Sequence, residues 1–167
     1  MTSLTNPNEI LIITTGGTID KVYFDDKSDY QVGRTIIGRL LEDAQVTHPT
    51  RIIEALQKDS LHLNDADRDT IKEIASREPN TEIVITHGTD TMAETARYLS
   101  DITGKVIVLT GALSPARFAM TDAMFNVGMA MAAVQSLDAG VYIAMNGTVF
   151  PAKSVVKNRE MNRFERK

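Results

Sequence analysis

Cysteine is absent from the 167 residues of this chain. Disulfides, zinc–thiolate centres and thiol nucleophiles are therefore excluded, although the absence says little about the cellular compartment. No apolar run approaches the roughly 18 residues that a membrane-spanning helix needs, and no long basic segment carries interleaved aromatic residues. The sequence therefore predicts neither a membrane nor a nucleic acid as a partner.

The bulk composition is that of an ordinary globular protein. Apolar residues make up 43% of the chain and charged residues 24%, with a net charge of −4 and an isoelectric point of about 5.4. The length suits a single domain over residues 1–167 that can bury a sizeable core. Residues 1–7 have neither the charged start nor the apolar centre of a signal peptide, so we expect a cytoplasmic protein.

Segments with the character of strands alternate with segments of helical periodicity. The predicted strands cover residues 9–14, 51–56, 83–86, 105–110 and 141–145, and the predicted helices cover residues 34–44, 91–100 and 119–137 together with a helix from Asn64 or Asp65 to the residues before Pro79. This alternation predicts an α/β fold, a single-domain doubly wound parallel sheet with helices on both faces. The methionines of the last helix are predicted to fill gaps in the core.

One strand–turn–helix segment is the centre of the pattern. The apolar residues 83–86 end in a polar turn that contains Thr89 and Asp90, and apolar residues with helical spacing follow immediately. Thr91 and Glu94 have the spacing of a capping box, which predicts the start of a helix. The turn therefore lies at the carboxyl end of a buried strand, where open α/β sheets bind their ligands.

Small polar residues or glycines follow all five predicted strands. These ends are Thr15–Gly16–Gly17, Asp59–Ser60, Gly88–Thr89–Asp90, Gly111–Ala112 and Asn146–Gly147. If they share one edge of the sheet, they form a polar crevice that offers hydroxyls and one well-placed carboxylate. The first glycine turn is neither a dinucleotide fingerprint nor a phosphate loop, and no cluster has metal-ligand spacing. We therefore expect no cofactor and no metal.

Several residues outside the regular pattern have two interpretations. Residues 18–34 are long for a loop and are predicted to form a flexible lid, in which Tyr30 is either a surface residue or closes on a substrate. Residues 151–167 form a basic tail that either lies in solvent or folds back to bring Lys157 to the strand ends. His87 either supports its turn or takes part in catalysis. A threonine nucleophile requires a base or cation, and Lys157 is the best-placed lysine.

At these residues the chain resembles the bacterial-type L-asparaginase/glutaminase family. Residues 13–19, with the sequence ITTGGTI, resemble the first threonine signature of that family, and residues 86–95, THGTDTMAET, resemble the second. The resemblance continues through residues 109–112 and 145–157 and so covers nearly the whole chain. It implies the fold of the N-terminal domain of two-domain L-asparaginases, L-asparagine as the substrate, and a homodimer or homotetramer.

The resemblance also implies roles for individual residues. It assigns Thr15 as nucleophile, Tyr30 as lid residue, Thr89, Asp90 and Lys157 as the second catalytic group, and Gly16, Ser60, Gly88, Thr89, Asp90 and Ala112 as substrate-binding residues. The implied reaction is hydrolysis of the side-chain amide of L-asparagine through a threonine acyl-enzyme, with backbone N–H groups holding the oxyanion. Replacing either Thr15 or Thr89 by alanine is then expected to remove most of kcat.

Two features differ from the pattern of the family. Most members have a second domain that contributes an acidic residue to a neighbouring site, so this chain resembles the short, single-domain members. Leu61 and His62 replace the polar and acidic residues that follow the serine in two-domain members. From the residues alone, a non-catalytic domain that senses an amino acid or binds a flavin phosphate is the alternative. The choice between asparagine and glutamine is also open, because one methylene contributes only about 1–3 kcal/mol to discrimination.

Overall fold

The computed structural model of this protein describes residue 6, residues 8–24 and residues 29–167. The middle of the predicted lid, residues 25–28, and most of the segment considered for a signal peptide lie outside the described residues. The strands are β1 (Ile10–Gly16), β2 (Lys21–Phe24), β3 (Asp29–Val32), β4 (Thr50–Lys58), β5 (Glu82–Thr86), β6 (Val106–Thr110), β7 (Gly140–Met145), β8 (Thr148–Pro151), β9 (Val155–Asn158) and β10 (Arg163–Arg166). The α-helices are α1 (Ile37–Asp43), α2 (Asp65–Arg77), α3 (Met92–Tyr98) and α4 (Ala123–Val134).

The main sheet has the order β4-β1-β5-β6-β7-β8. Its first five strands are parallel, and β8 alone runs antiparallel. Every residue of β1 is buried, as expected for a strand that is covered on both faces. Helices α2 and α3 pack on one face of the sheet and α1 and α4 on the other. The predicted doubly wound α/β fold is therefore confirmed.

The strand order places a topological switch beside β1. After β1 the chain crosses to β4 on one side of it, and it then returns to β5 on the other side. The crossover helices leave in opposite directions at such a point, and the carboxyl ends of the two strands face an open crevice. The turns that follow β1 and β5 are the two turns that the sequence singled out.

Beyond β7 the structure differs from the sequence-based prediction. Asn146 and Gly147 do not open into a crossover but have φ angles of 52° and 67°, which suit a two-residue hairpin turn. They connect β7 to the antiparallel strand β8. An Asn-Gly pair between two apolar segments is a strong hairpin signal, although the prediction above treats these two residues only as a strand end.

The predicted lid contains regular structure. Strands β2 and β3 pair as an antiparallel hairpin, with Tyr23 opposite Tyr30. An ion pair of 3.1 Å between Lys21 Nζ and Asp59 Oδ2 fastens the base of this hairpin to the end of β4. Gln57 also donates a hydrogen bond of 2.8 Å to the carbonyl oxygen of Val32. In its described part the predicted lid is therefore a hairpin instead of a loop, and its role as a flexible lid stays a prediction.

The helix cap predicted for α2 is confirmed, whereas the one predicted for α3 is wrong. Asn64 caps α2, and its reciprocal hydrogen bonds with Asp67 form a capping box. The capping box predicted for α3 is wrong, because the Thr91 side chain makes no capping hydrogen bond. Its hydroxyl instead donates to the carbonyl oxygen of Ser60 at 2.9 Å. A tertiary contact with the turn after β4 thus replaces the local cap.

Helix α4 is shorter than predicted, and its methionines differ in burial. It covers Ala123–Val134 instead of residues 119–137. Met131 is buried as predicted, whereas Met124 is 41% exposed and Met120, which lies before the helix, is 88% exposed. The core-filling prediction therefore holds for only part of this set. In the part of the chain that the structure describes, no helix combines the length and apolar character needed to cross a membrane.

The basic tail is an ordered hairpin. Strands β9 and β10 pair antiparallel, and Val155 and Phe164 are buried in the core on the α3 face of the main sheet. The backbone N–H of Phe164 also donates to the side-chain oxygen of Asn146 at 2.7 Å. The interpretation of the tail as a solvated segment is therefore wrong, and the alternative, in which Lys157 returns to the strand ends, is right.

Candidate active site

Two glycine turns contact each other at the switch point. A Cβ atom on Gly17 would lie 2.5 Å from Gly88 Cα, and one on Gly88 would lie 2.5 Å from Ser60 Oγ. Gly17 also has a φ of +91°, a conformation that L side chains rarely adopt. Glycine at these positions lets the backbones of two turns meet and lets the Ser60 side chain pack against one of them. The residues that follow the glycines, Thr18 and Thr89, are thereby brought to the same edge of the sheet.

A polar cluster forms around Lys157, which β9 carries into the site. Lys157 Nζ donates to Thr89 Oγ1 at 2.8 Å and lies 2.8 Å from Asp90 Oδ1. The side chain of Lys157 is only 10% exposed, whereas that of Asp90 is 32% exposed. An ammonium group, a hydroxyl and a carboxylate are thus held in direct contact, with the carboxylate partly open to solvent. Such a set can polarise a hydroxyl and move protons.

The two threonines around the first glycine pair differ in position. Thr15 is fully buried in β1, and its hydroxyl donates to the carbonyl oxygen of Thr86 at 2.8 Å. Thr18 is partly exposed and lines a cavity of about 300 Å³ together with Tyr30. This placement argues against Thr15 as a nucleophile, because its hydroxyl does not reach a solvent-accessible space. Sequence reasoning missed Thr18, although the same motif contains it.

Three other residues predicted to bind a substrate lie at the ends of β4, β1 and β6: Ser60, Gly16 and Ala112. Ser60 is buried and its Oγ accepts a long hydrogen bond of 3.4 Å from the N–H of Thr91. Gly16 faces the β4 backbone, where an added Cβ would lie 2.7 Å from two atoms of Lys58. Ala112 is buried just beyond β6. Ser60 and Gly16 therefore lie beside the glycine contact, and Ala112 follows the neighbouring strand β6.

His87 supports the turn. Its Nδ1 lies 2.7 Å from the carbonyl oxygen of Gly88, and its Nε2 lies 2.9 Å from the Thr95 hydroxyl. The same hydroxyl accepts a hydrogen bond from Arg68 Nε at 3.2 Å. Burial lowers the pKa of His87 to about 4, so the imidazole is neutral at pH 7. Of the two roles that the sequence left open, this geometry favours support.

Asp20 is a second residue that sequence reasoning missed. It is 1% exposed, and Oδ1 accepts from the N–H of Ile36 at 2.9 Å. Its carbonyl oxygen accepts from the N–H of Gly33 at 2.8 Å, and its own N–H donates to Gly17 at 3.2 Å. Asp20 therefore ties the segment that carries Thr18 to the residues that follow β3 at the base of the hairpin. No pattern in the sequence marks it.

Because its carboxyl group is buried, Asp20 should give the stability of the fold an unusual pH dependence. Burial raises its pKa from 3.8 to about 6, against hydrogen bonds from Ile36 and Thr35 and the charge of Arg117. The folded state therefore binds more protons than the unfolded state between these values, and stability decreases as pH rises through the window. We expect the Asp20→Asn variant, which lacks this titration, to gain up to about 3 kcal/mol on the wild type between pH 4 and pH 7.

Urea unfolding of the Asp20→Asn variant and the wild type at several pH values measures this difference. His87 has the opposite dependence, because its lowered pKa makes stability increase as pH rises from about 4 to 6.5. Because His87 is present in both proteins, its contribution cancels from the difference between their free energies of unfolding. A difference that does not change with pH would contradict the prediction.

Two cavities open on either side of the hairpin and share Lys21 and Tyr30. The one with Thr18 also has the apolar residues Leu113, Pro115 and Phe118 in its wall. The other, of about 470 Å³, includes Asp59 and His62. Tyr30 is 44% exposed between them. Among the described residues, no group of three or more His, Asp or Glu side chains is arranged to hold a metal ion.

Several known proteins are similar to this chain over most of its length. The profile of the family described as "Asparaginase, N-terminal" matches residues 9–165. The chain is 32% identical over 164 residues to a glutaminase-asparaginase of Acinetobacter glutaminasificans, covering 90% of this chain and 50% of that protein. It is also 32% identical over 171 residues to L-asparaginase 2 of Escherichia coli (strain K12), covering 93% and 47% respectively.

Solved structures give the same correspondence. A probable cytoplasmic L-asparaginase from Campylobacter jejuni superposes with a TM-score of 0.83 at 28% identity, over 95% of this chain and 53% of that one. The thermostable L-asparaginase from Thermococcus kodakarensis superposes with a TM-score of 0.80 at 25% identity, over 95% and 51%. The chain thus spans about half the length of the relatives that it matches.

Proposed function

Since this chain belongs to the asparaginase family through its match to the N-terminal domain over residues 9–165, we propose that it hydrolyses the side-chain amide of L-asparagine. The products are L-aspartate and ammonia. The observation that carries the proposal is the contact of Lys157 with both Thr89 and Asp90, at 2.8 Å in each case. The three groups lie at the carboxyl end of β5, beside the turn that carries Thr18, and this position supports a role in proton transfer.

In the proposed reaction Thr18 is the nucleophile, in place of Thr15. Its hydroxyl oxygen attacks the amide carbon, the C–N bond breaks, and ammonia leaves after receiving a proton. Water then hydrolyses the resulting ester and regenerates the hydroxyl. Thr89 and Lys157 move protons between the attacking and leaving groups, and Asp90 orients the ammonium group of Lys157. Tyr30 covers the reacting atoms from the hairpin.

The substrate's charged end also has candidate partners. Asp90 is 32% exposed and can receive the α-ammonium group in addition to Lys157. Ser60 lies against Gly88 and is the proposed contact for the α-carboxylate, and the carbonyl oxygen of Ala112 is the proposed acceptor for the side-chain amide. Gly16 and the Gly88 turn bring backbone close to the substrate. Asparagine is proposed as the preferred substrate over glutamine.

Assembly and location are proposed on the same family basis. We propose a homodimer or homotetramer, for which α4 offers a partly exposed apolar face that includes Met124 and Phe125. A cytoplasmic location is proposed by analogy with the relative titled a probable cytoplasmic L-asparaginase, while another relative is titled periplasmic. Size-exclusion chromatography with light scattering measures the oligomeric state directly.

Ammonia release from L-asparagine, and separately from L-glutamine, tests the proposed activity. We expect release from L-asparagine at a higher kcat/KM than from L-glutamine, and no release from D-asparagine, which presents the same amide with the opposite arrangement at Cα. The protein used should be folded by circular dichroism. Folded protein that releases no ammonia from either L-amino acid would overturn the proposed function.

A further inference from the structure

We propose that Phe118 is a positioning residue for this reaction, which holds the ring of Tyr30 over the cavity that contains Thr18. The inference rests on the proposed function and concerns a residue outside the two threonine motifs. Phe118 lies in the segment that follows β6, whereas Tyr30 lies on β3 of the hairpin. Their contact therefore joins two parts of the chain that are far apart in sequence.

Tyr30 lies between two aromatic rings. Its centroid is 5.8 Å from that of Phe118, with an angle of 67° between the ring planes, an edge-to-face arrangement. It is 5.2 Å from the centroid of Tyr23, with an angle of 55°. Both distances lie in the range that aromatic pairs prefer. Tyr23 is on the same hairpin as Tyr30, so within this trio Phe118 is the ring that connects Tyr30 to another segment of the chain.

The segment that carries Phe118 is fixed to the rest of the site. The carboxylate of Asp122 accepts hydrogen bonds of 3.0 Å from the N–H groups of Leu113 and Ser114. The N–H of Ala116 donates to the carbonyl oxygen of Ile19 at 3.1 Å, and Ile19 directly follows Thr18. Phe118 is therefore held in a defined position relative to the proposed nucleophile. Because Tyr30 packs against Phe118, its ring is also held in a defined position relative to Thr18.

The exposure of the two rings indicates that their contact positions Tyr30 and adds little to the stability of the fold. Phe118 is 43% exposed and Tyr30 is 44% exposed, so neither ring fills the core. Both line the cavity of about 300 Å³ that includes Thr18. Without the Phe118 ring, this wall of the cavity opens and Tyr30 gains rotamers that point away from Thr18. The expected consequence is a smaller fraction of molecules with Tyr30 over the site.

The Phe118→Ala variant tests the proposal. We expect kcat/KM for L-asparagine to decrease roughly 3- to 10-fold, the effect of losing one aromatic pair, with little change in the thermal midpoint. Phe118→Tyr keeps the ring and should restore most of kcat/KM. In the Tyr30→Ala background the same Phe118 substitution should have no further effect, because its partner is already absent. The matched control is Met120→Ala, which removes a large apolar side chain that is 88% exposed in the same segment.

A spectroscopic measurement gives a readout that does not depend on turnover. The chain has four tyrosines and no tryptophan, so acrylamide quenching of its fluorescence reports on tyrosine accessibility. We expect more quenching in Phe118→Ala and no change in Met120→Ala. If the wild type releases ammonia and the two variants behave alike in both assays, the positioning role is overturned while the function stands. If the wild type releases none, the function and the positioning role both fail.

Discussion

Replacing Thr18 by valine should lower kcat for L-asparagine at least about 10³-fold, because the reaction then lacks its proposed nucleophile. Valine keeps the branched shape of threonine and removes only the hydroxyl. Thr18 is partly exposed, so the fold should be unaffected, and the free energy of unfolding should change little. Ammonia release under saturating substrate and urea unfolding measure the two quantities on the same preparation.

Thr15→Val is the matched control, because it makes the same chemical change three positions earlier. The Thr15 hydroxyl is buried and donates to Thr86, so its loss should lower the free energy of unfolding by about 1 kcal/mol. We expect kcat to stay within a few-fold of the wild type. If Thr15→Val were inactive and Thr18→Val active, the nucleophile would be Thr15, as the sequence motif first suggested.

The second large effect is expected for Lys157→Met, which should lower kcat roughly 10²- to 10⁴-fold, the range for loss of a proton-transfer group. Methionine is of similar length but cannot donate to Thr89 or pair with Asp90. Asp90 is 32% exposed, so water can solvate its carboxylate and the fold should persist. Steady-state kinetics with L-asparagine separates the change in kcat from a change in KM.

Lys72→Met is the control for the loss of a lysine ion pair. Lys72 Nζ lies 2.7 Å from Asp101 Oδ2, with the lysine side chain 32% exposed, on α2 outside the site. We expect full activity from this variant. If Lys157→Met raised KM and left kcat unchanged, the role of Lys157 would be substrate binding instead of proton transfer. Thr89→Val should resemble Lys157→Met if the two act as one unit, and the double variant should then be no worse than either.

The sequence determined the elements whose signals are local. The apolar segments that became β1, β5 and β6 were predicted because a strand covered on both faces requires a nearly continuous apolar run. The cap of α2 was predicted to within one residue, Asn64 or Asp65, because Asn64 bonds Asp67 within the same turn of chain. The polar turn after β5 was likewise visible from its residues, and so was the family resemblance, since both depend on short stretches of chain.

Only the tertiary structure decided the features that depend on distant partners. Thr91 was expected to cap its own helix, but the nearby carbonyl of Ser60 takes its hydroxyl. Lys157 reaches Thr89 across 68 positions of sequence, and its path depends on a hairpin whose short strands have no distinctive periodicity. Thr15 and Thr18 are separated by two glycines alone, and their hydroxyls differ because one lies inside the sheet and the other beyond its end. Local sequence carries no information on what lies opposite a side chain, and that neighbour decides whether a hydroxyl is buried or available to react.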